Sequence, residues 1–495
     1  MKSLLKIVVF MCAFLSVAYA QSLPSCTIPG SITQSCYVAP GTYSVSSTIT
    51  ITQSNILILC QPGAILTQTS SNPILRVLGS GNNVTVDGCT FDANNELGSG
   101  LTDVINVGNG TSGFTLRNST VKNTISNSSG YNAGILISGG ASNVLIEKNT
   151  LLGPTAGIIS YSPVANLQII NNVITGQISI QSPATGGSTS SLVIAGNIIT
   201  PQIGGACVVV QDASSSGTNP NTDFTLSHNV CKIQGTSTSN PVFGAFSLVS
   251  SQPNQGNSGT CTVADNVVEA NGQYISYALW EIGLTGCTFS GNMTKAGGDN
   301  SSQGYHAWII YSGNNTFTGN NTVGWGANGS GMVFYPQNTS APYGNNNIVT
   351  GGSLIASMTG GAGNMALSIM CNVNGSSAQN MKITGVLISG AFARGVNAED
   401  DWYPSNCPVS FSLDTTTISG AIVGIETSYS TASVGKVDMF GVGTSWVQLV
   451  GTVVVNNGIL TAKLPQLNRP LISPFGRQLV SVESAARDTS KMGSL

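Results

Sequence analysis

A nine-residue pattern returns along most of this chain. It reads NVTVDGCTF from Asn83, GFTLRNSTV from Gly113, NVLIEKNTL from Asn143 and NLQIINNVI from Asn166. It continues as SLVIAGNII from Ser191, DFTLSHNVC from Asp223, TCTVADNVV from Thr260, GCTFSGNMT from Gly286 and NTFTGNNTV from Asn315, with a degenerate copy, NMKITGVLI, from Asn380. Apolar residues alternate at period two, then comes a two-residue turn, and this combination predicts short strands rather than helix. An Asn recurs just after the turn at Asn149, Asn172, Asn197, Asn229, Asn266, Asn292 and Asn320, with successive gaps running from 23 to 37 residues. A constant core with gaps of variable length is what a solenoid shows when loops are inserted at a corner. Blades of a propeller would need roughly 40 residues or more each.

One coil of such a chain cannot bury its own apolar residues, so it must stack on its neighbours. Parallel strands then lie roughly 4.8 Å apart and equivalent side chains form columns. An Asn at one turn of every coil can bond to the Asn above and below, which satisfies buried polar groups in series. Composition agrees with strands and turns. Only 7% of residues are charged and 60 of the 495 are Gly, whereas helical surfaces are built on Glu, Lys, Arg and Ala. With 16 Lys and Arg in total, the chain has no basic run to neutralise phosphates, which excludes nucleic acid as a partner.

The repeats resemble those of right-handed parallel β-helix proteins of the pectate-lyase superfold. The stretch Tyr37-Val-Ala-Pro-Gly-Thr-Tyr43, followed by alternating strands and Pro62-Gly63-Ala64-Ile65-Leu66, is similar to the opening turns of those proteins. The resemblance implies an all-β fold, a right-handed parallel β-helix solenoid of roughly 11–13 coils, with an N-terminal cap and a short C-terminal β extension. It implies little about chemistry, because the same superfold carries lyases, hydrolases, epimerases, tailspikes and adhesins.

Residues 1–20 read as a secretory signal peptide. Lys2 and Lys6 precede an apolar run, and Ala18-Tyr19-Ala20 is a small-x-small cleavage site. Residues 21–430 read as the β-helix, with 21–80 as cap and opening coils. Residues 431–480 read as capping strands, with a hairpin over VGTVVVNNGILTAKL from Val450, and 481–495 as a flexible tail. A secreted, extracellular or cell-surface location follows, with no membrane span after signal removal, and a monomer is expected.

Of the 11 cysteines, Cys12 leaves with the signal. The even remainder in an oxidising compartment favours disulfides, the alternative being buried free thiols. Cys261 and Cys287 share a repeat position one coil apart, Cys60 and Cys89 sit near equivalent turns, and Cys26 with Cys36 ties the cap. Cys207–Cys231 and Cys371–Cys407 complete the set. Two His and no CxxC give no metal site, and no cofactor is expected beyond Ca²⁺ if the chain is a lyase.

Function must be sought on outer faces. Counting back from the ladder Asn, Ile135, Ile137 and Ile158 point inward, and Leu136, Ser138, Ile159 and Tyr161 outward. The same count stacks Tyr277 on Tyr305 and Trp280 on Trp308, with both tyrosines and Glu281 outside and both tryptophans inside. Tyr161, Tyr277, Tyr305 and Tyr311 are the candidate sugar-binding residues, since pyranose faces pack on aromatic rings. They also read simply as aromatic stacks that cover the solenoid. Glu281, His306, Glu399, Asp400 and Asp401 are the candidate catalytic residues, the last three in an acidic cluster beside Trp402 and Tyr403 that could equally be a solvated or Ca²⁺-binding loop. A glycosidase needs two carboxyl groups about 5 to 9.5 Å apart, which Glu281 and Glu399 do not meet across several coils. The polygalacturonase-like motifs are missing, and Asp92 reads as a turn residue. The expected function is binding or processing of extracellular polysaccharide or a surface glycan. A pectin-degrading type of lyase or hydrolase and a non-catalytic adhesin or structural surface protein both stay open, so enzyme status is undecided.

Overall fold

The structure, a computed structural model, describes residues 23–95, 102–124, 132–153, 156–182, 190–201, 205–212, 223–234, 244–250, 261–271, 277–297, 306–323, 329–335, 344–356, 364–371, 377–399, 409–428, 430–450, 453–454 and 460–463. Their regular structure is all strand, and no helix among them is long and apolar enough to cross a membrane. The expected signal peptide and tail lie outside the described residues. The chain divides into two compact units, Met1–Gln202 and Ile203–Leu495, and each winds as a parallel β-helix.

In the first unit each coil contributes three strands. Thr102–Val107, Phe114–Arg117 and Thr120–Lys122 make one coil, and Asn132–Ile137, Ser142–Glu147 and Thr150–Leu151 the next. Each strand pairs in parallel with its equivalent: Ile105 with Ile135, Leu116 with Ile146, Val121 with Leu151. These inward positions are Ile, Val, Leu and Phe at 0–1% exposure, so the core is a set of apolar columns running along the axis. The second unit repeats the scheme with aromatics. Phe289 stacks on Phe317 with centroids 4.8 Å apart, and Trp308 meets both edge-on at 5.9 Å. The Trp308 indole N–H donates to Thr294 Oγ1 (2.6 Å), which satisfies its one polar atom inside the core.

The asparagine ladder forms in both units. In the first, Asn172 Oδ1 accepts from both the backbone N–H (2.9 Å) and the Nδ2 (3.1 Å) of Asn149, and Asn197 does the same for Asn172. Each Nδ2 also donates to a strand carbonyl one coil back: Leu116, Ile146 and Ile169 respectively. In the second unit Asn229, Asn266, Asn292 and Asn320 repeat these bonds. All seven are buried, so each amide replaces water for a turn that cannot otherwise close its backbone hydrogen bonds. The residue just before the ladder Asn is left-handed, as at Lys148 (φ 53°), Asn171 (φ 57°) and Asp265 (φ 54°), which turns the chain sharply between two strands.

A second row was not anticipated as such. The Asn that opens many repeats is itself left-handed and exposed, as at Asn83, Asn143, Asn166 and Asn380, and Asn314 and Asn346 take the same place, which sets the start of the repeat read from Asn315 one residue earlier. Its amide bonds to the Asn of an adjacent coil, as in Asn166 Nδ2 to Asn143 Oδ1 (2.9 Å) and Asn346 Nδ2 to Asn314 Oδ1 (2.9 Å). The signal was present as the first letter of NVLIEKNTL and NLQIINNVI; Asn tolerates this conformation better than most residues.

Four expected disulfides are formed: Cys26–Cys36, Cys60–Cys89, Cys207–Cys231 and Cys261–Cys287, with Cα separations of 4.7–5.9 Å. Cys371 is disulfide-bonded; Cys407, its expected partner, lies outside the described residues. At the C-terminal end the hairpin reading fails. Val453–Val454 pairs in parallel with Ala432 and Ser433, and Leu460–Lys463 in parallel with Val437–Phe440. The segment continues the winding, because its apolar residues gain cover from the previous coil that an isolated hairpin could not supply.

Candidate functional site

The first strand of each coil carries the outward side chains that sequence parity was meant to locate, and one local feature decides how parity runs. Near its start this strand turns a corner at a small residue: Gly134 and Gly157 in the first unit, and Ala278, Ala307, Ala366, Gly395 and Gly424 in the second. A Cβ built on Gly395 would meet Ile418 Cγ2 at 2.8 Å, and one on Gly134 would meet Leu151 Cδ2 at 3.3 Å, both core atoms. The corner position therefore faces inward, and so does the next residue, the buried Leu279, Trp308, Leu367, Val396 or Ile425. Two consecutive inward residues break the alternation. Outward rows then fall at Tyr277–His306–Ser330–Met365–Arg394, and at Ile309–Val333–Ser368–Asn397–Glu426, one rung per coil.

Register corrects the expected stacking. Tyr277 pairs with His306, not Tyr305, and Leu279 rather than Trp280 pairs with Trp308. The intervening loop absorbs one residue, and a one-residue shift exchanges faces for everything downstream. Trp308 is inside as expected. Trp280 falls in register with Ile309, and its side chain lies outside the described ones, as do Tyr305, Asp400, Asp401, Trp402, Tyr403 and the side chain of Glu399.

Glu281 is a correction of substance. It was expected outside, but it shares an inward column with Leu248 and Ile310 and is 0% exposed. The Leu284 N–H donates to its Oε1 (2.7 Å) and the Ser312 hydroxyl to its Oε2 (2.6 Å). Asn315 Nδ2 in turn donates to Ser312 Oγ (3.0 Å) and to the Leu284 carbonyl (2.9 Å). Burial pushes the carboxyl up to about 7 against these hydrogen bonds. Glu281 thus fastens one turn of the coil and is not on the surface.

His306 and Tyr277 do face outward. Their rings stack with centroids 5.8 Å apart and planes 25° from parallel. The Ser330 N–H donates to His306 Nδ1 (3.1 Å), so in the neutral ring the proton sits on Nε2. Burial lowers His306 to about 4, so the ring is neutral at pH 7. Burial also raises the Tyr277 phenol, with a smaller contribution from Tyr335. Tyr311 lies on the same outer face, against Tyr335 one coil on, with centroids 5.7 Å apart; Tyr335 was not singled out from sequence, having no partner motif. Further along, Arg394 Nε and Glu426 Oε1 form an ion pair at 2.7 Å, with the Glu426 side chain only 6% exposed.

The first unit has its own outer face. Leu136 and Tyr161 pack against Ala133 and Ile159 there, in an apolar cluster separate from the core. Leu136, Ile159 and Tyr161 were expected to face outward. One coil earlier Asp103 accepts a hydrogen bond from Asn106 Nδ2. Burial raises its carboxyl despite that bond and nearby Arg76. Asp92 accepts from the Asn94 N–H (2.9 Å), as a turn residue does, and also pairs with Lys122 (3.2 Å).

Chemically, the outer face of the first strands of the second unit offers, among the described residues, aromatic rings, neutral hydrogen-bonding groups and the Arg394–Glu426 ion pair. Its buried carboxyls, Glu281 and Glu426, lie five rungs apart on opposite sides of the sheet, on the order of 24 Å. They cannot act as a glycosidase pair.

No known protein family matches this chain, and no curated protein is similar to it. Among solved structures, it is similar to PfbA, a surface adhesin of Streptococcus pneumoniae, at 12% identity over 86% of this chain and 85% of that one, TM-score 0.31. It is similar to the periplasmic alginate epimerase AlgG at 11% identity over 88% and 86%, TM-score 0.37. A PL6 alginate lyase in complex with trisaccharide gives 13% identity over 90% and 87%, TM-score 0.36. Identities and scores this low carry no argument about activity or ligand.

Proposed function

We propose that this chain is a secreted protein that binds extracellular polysaccharide on the outer face of its β-helix, without cleaving it. The observation that carries this reading is the set of half-buried rings on one face of the second unit, Tyr277 on His306 and Tyr311 against Tyr335. Flat rings held at rung spacing offer successive sugar units an apolar surface with wet phenol edges. Four disulfides support a location outside the cytoplasm.

Binding is favoured over catalysis by the state of the ionisable groups. His306 has its Nδ1 engaged by a backbone N–H and its Nε2 protonated, so it can donate a hydrogen bond but not accept a proton. Glu426 is held by Arg394, and Glu281 is internal. The test is a screen of the mature protein against pectin, alginate, xylan and β-glucans. It follows binding by affinity electrophoresis, and cleavage by reducing ends and unsaturated-uronate absorbance. Binding without cleavage is expected, with Tyr311→Ala/Tyr335→Ala weakening it about tenfold or more. Release of product, or no binding to any glycan, would overturn the reading.

A further inference from the structure

Among the described residues, Asn83, Asn109, Asn118, Asn292, Asn314 and Asn320 each open an Asn-x-Thr triplet, the acceptor sequence for N-linked oligosaccharide. Burial splits them into two sets. Asn292 and Asn320 are ladder rungs, 1% and 6% exposed. Asn292 Nδ2 uses both hydrogens, on the Val263 carbonyl (2.8 Å) and on Asn320 Oδ1 (2.9 Å). Asn320 Nδ2 donates to the Phe289 carbonyl (2.9 Å), and the next coil packs so closely that a Cβ on Gly352 would sit 2.1 Å from the Asn320 carbonyl oxygen. Asn83, Asn109, Asn118 and Asn314 are exposed and lie where the chain bends between strands. Asn83, Asn118 and Asn314 are left-handed (φ 55°, 51° and 59°), and Asn109 precedes the left-handed Gly110 (φ 76°). Asn83 Nδ2 donates to Asn55 Oδ1 (3.1 Å) and Asn118 Nδ2 to Asp87 Oδ1 (2.9 Å), while Asn314 Oδ1 accepts from Asn346 Nδ2 (2.9 Å). An amide nitrogen carries two hydrogens, so an N–H remains at each when the other is replaced by a sugar carbon.

We propose that Asn83, Asn109, Asn118 and Asn314 are sites of N-glycosylation, and that Asn292 and Asn320, in the same triplet, carry no glycan in the folded protein. The inference rests on the secreted part of the reading above and not on its polysaccharide part. The donor is an oligosaccharide linked to a lipid diphosphate. The side-chain nitrogen bonds to the anomeric carbon, the bond from that carbon to the diphosphate oxygen breaks, the lipid diphosphate leaves with the electron pair, and the amide gives up one proton. Transfer reaches the chain before its coils stack, so the fold selects afterwards. A sugar on Asn292 would remove one of its two ladder bonds and need space that the neighbouring coils fill. A sugar at the exposed bends projects into solvent. Three of these bends border second strands: Asn83 precedes Val84–Asp87, Asn118 follows Phe114–Arg117 and Asn314 precedes Thr316–Thr318. None of the four belongs to an outward row of the first strands.

The experiment expresses the full chain, with its own N-terminus, in cultured cells that N-glycosylate, and separates secreted from retained chains. Peptide N-glycosidase in heavy-oxygen water converts each glycosylated Asn into labelled Asp, which peptide mass spectrometry reads. Secreted chains should carry label at Asn83, Asn109, Asn118 and Asn314 and none at Asn292 or Asn320, whereas retained chains should be enriched in label at those two. Asn118→Gln should remove one glycan and leave secretion unchanged. Where the wild type is wholly retained, Thr294→Val/Thr322→Val, which abolishes both inner triplets and keeps the branched shape, should release chains bearing the outer glycans. Secreted chains without label at the outer four, or with label at Asn292 or Asn320, would overturn the inference and leave the secreted reading standing. Retention of the double variant together with the wild type would overturn it as well. Chains that stay in the cytoplasm, unglycosylated and with residues 1–20 intact, would remove both.

Discussion

Replacing Asn292 by Ala removes one rung of the ladder, and the bonds lost can be counted. Asn292 Nδ2 donates to the Val263 carbonyl (2.8 Å) and to Asn320 Oδ1 (2.9 Å), while its Oδ1 accepts from Asn266 N–H (3.1 Å) and Asn266 Nδ2 (2.9 Å). After truncation Asn320 Oδ1 keeps the Asn292 N–H (3.0 Å) and Asn266 Nδ2 keeps the Leu226 carbonyl (2.8 Å). The Asn266 N–H remains without a partner, and the Val263 carbonyl, in a strand paired with Thr288–Ser290, loses one of its donors. At about 1–3 kcal/mol for the unmet N–H and about 1 kcal/mol for the second bond, the cost is about 3 kcal/mol. Asn292→Asp separates hydrogen bonding from packing. It keeps an acceptor for Asn266 but turns a second oxygen towards the Val263 carbonyl, so its penalty should grow as pH rises and the carboxyl loses its proton. Asn314→Ala is the control, because Asn314 is an exposed left-handed residue (φ 59°) and its loss should cost about 1 kcal/mol. The assay is urea unfolding without reductant, with hydrogen exchange followed in the strands Cys261–Ala264 and Met293–Gly297. A repeat array need not unfold in one step, so the local exchange is the deciding readout. An Asn292→Ala penalty no larger than that of Asn314→Ala would refute the reasoning.

Two opposed titrations should shape the acid stability. Glu281 is raised from 4.5 to about 7, so the folded state holds a proton that the unfolded chain has lost, and stability declines between about pH 4.5 and 7 by about 3 kcal/mol. His306 is lowered from 6.5 to about 4, so its contribution is present above pH 6.5 and is lost as pH falls towards 4. Between pH 4.5 and 6.5 the two offset, and unfolding midpoints of the wild type should be nearly flat there. Glu281→Gln keeps an acceptor for the Leu284 N–H and should make stability rise with pH across that window; an unchanged flat profile would contradict the buried carboxyl. Histidine resonances followed by NMR should place one ring near 4, with His228 resolved separately by His228→Asn. Opening Cys261–Cys287, a loop of 26 residues, with Cys261→Ser/Cys287→Ser should cost about 3–4 kcal/mol by chain entropy. Peptide mapping under non-reducing conditions checks that pairing directly.

Much of the fold was legible because a stacked coil writes its geometry into the chain locally. Alternation marked the second strand of each coil, and the recurring Asn marked the turn. Cys261 and Cys287 were paired from equal repeat position alone, since neighbours in such a stack are related by one rung. Loops between repeats carry no such constraint. The single residue absorbed between Tyr277 and His306 left no periodic trace, so the expected Tyr277–Tyr305 stack was misplaced. The inward corner at Ala278 turned Glu281 from the expected outer face to the inner one, because a small residue there reads as neither inside nor outside.

The amino-acid order by itself therefore determined a parallel solenoid, its Asn column and most of its staples, all of which depend on contacts between equivalent positions. Which face each side chain of the first strand takes was decided only by tertiary structure. So was the company of Asn397: its neighbours in space, Ser368 and Glu426, come from other coils, and their shared row exists only once loop lengths and corner geometry have set the register.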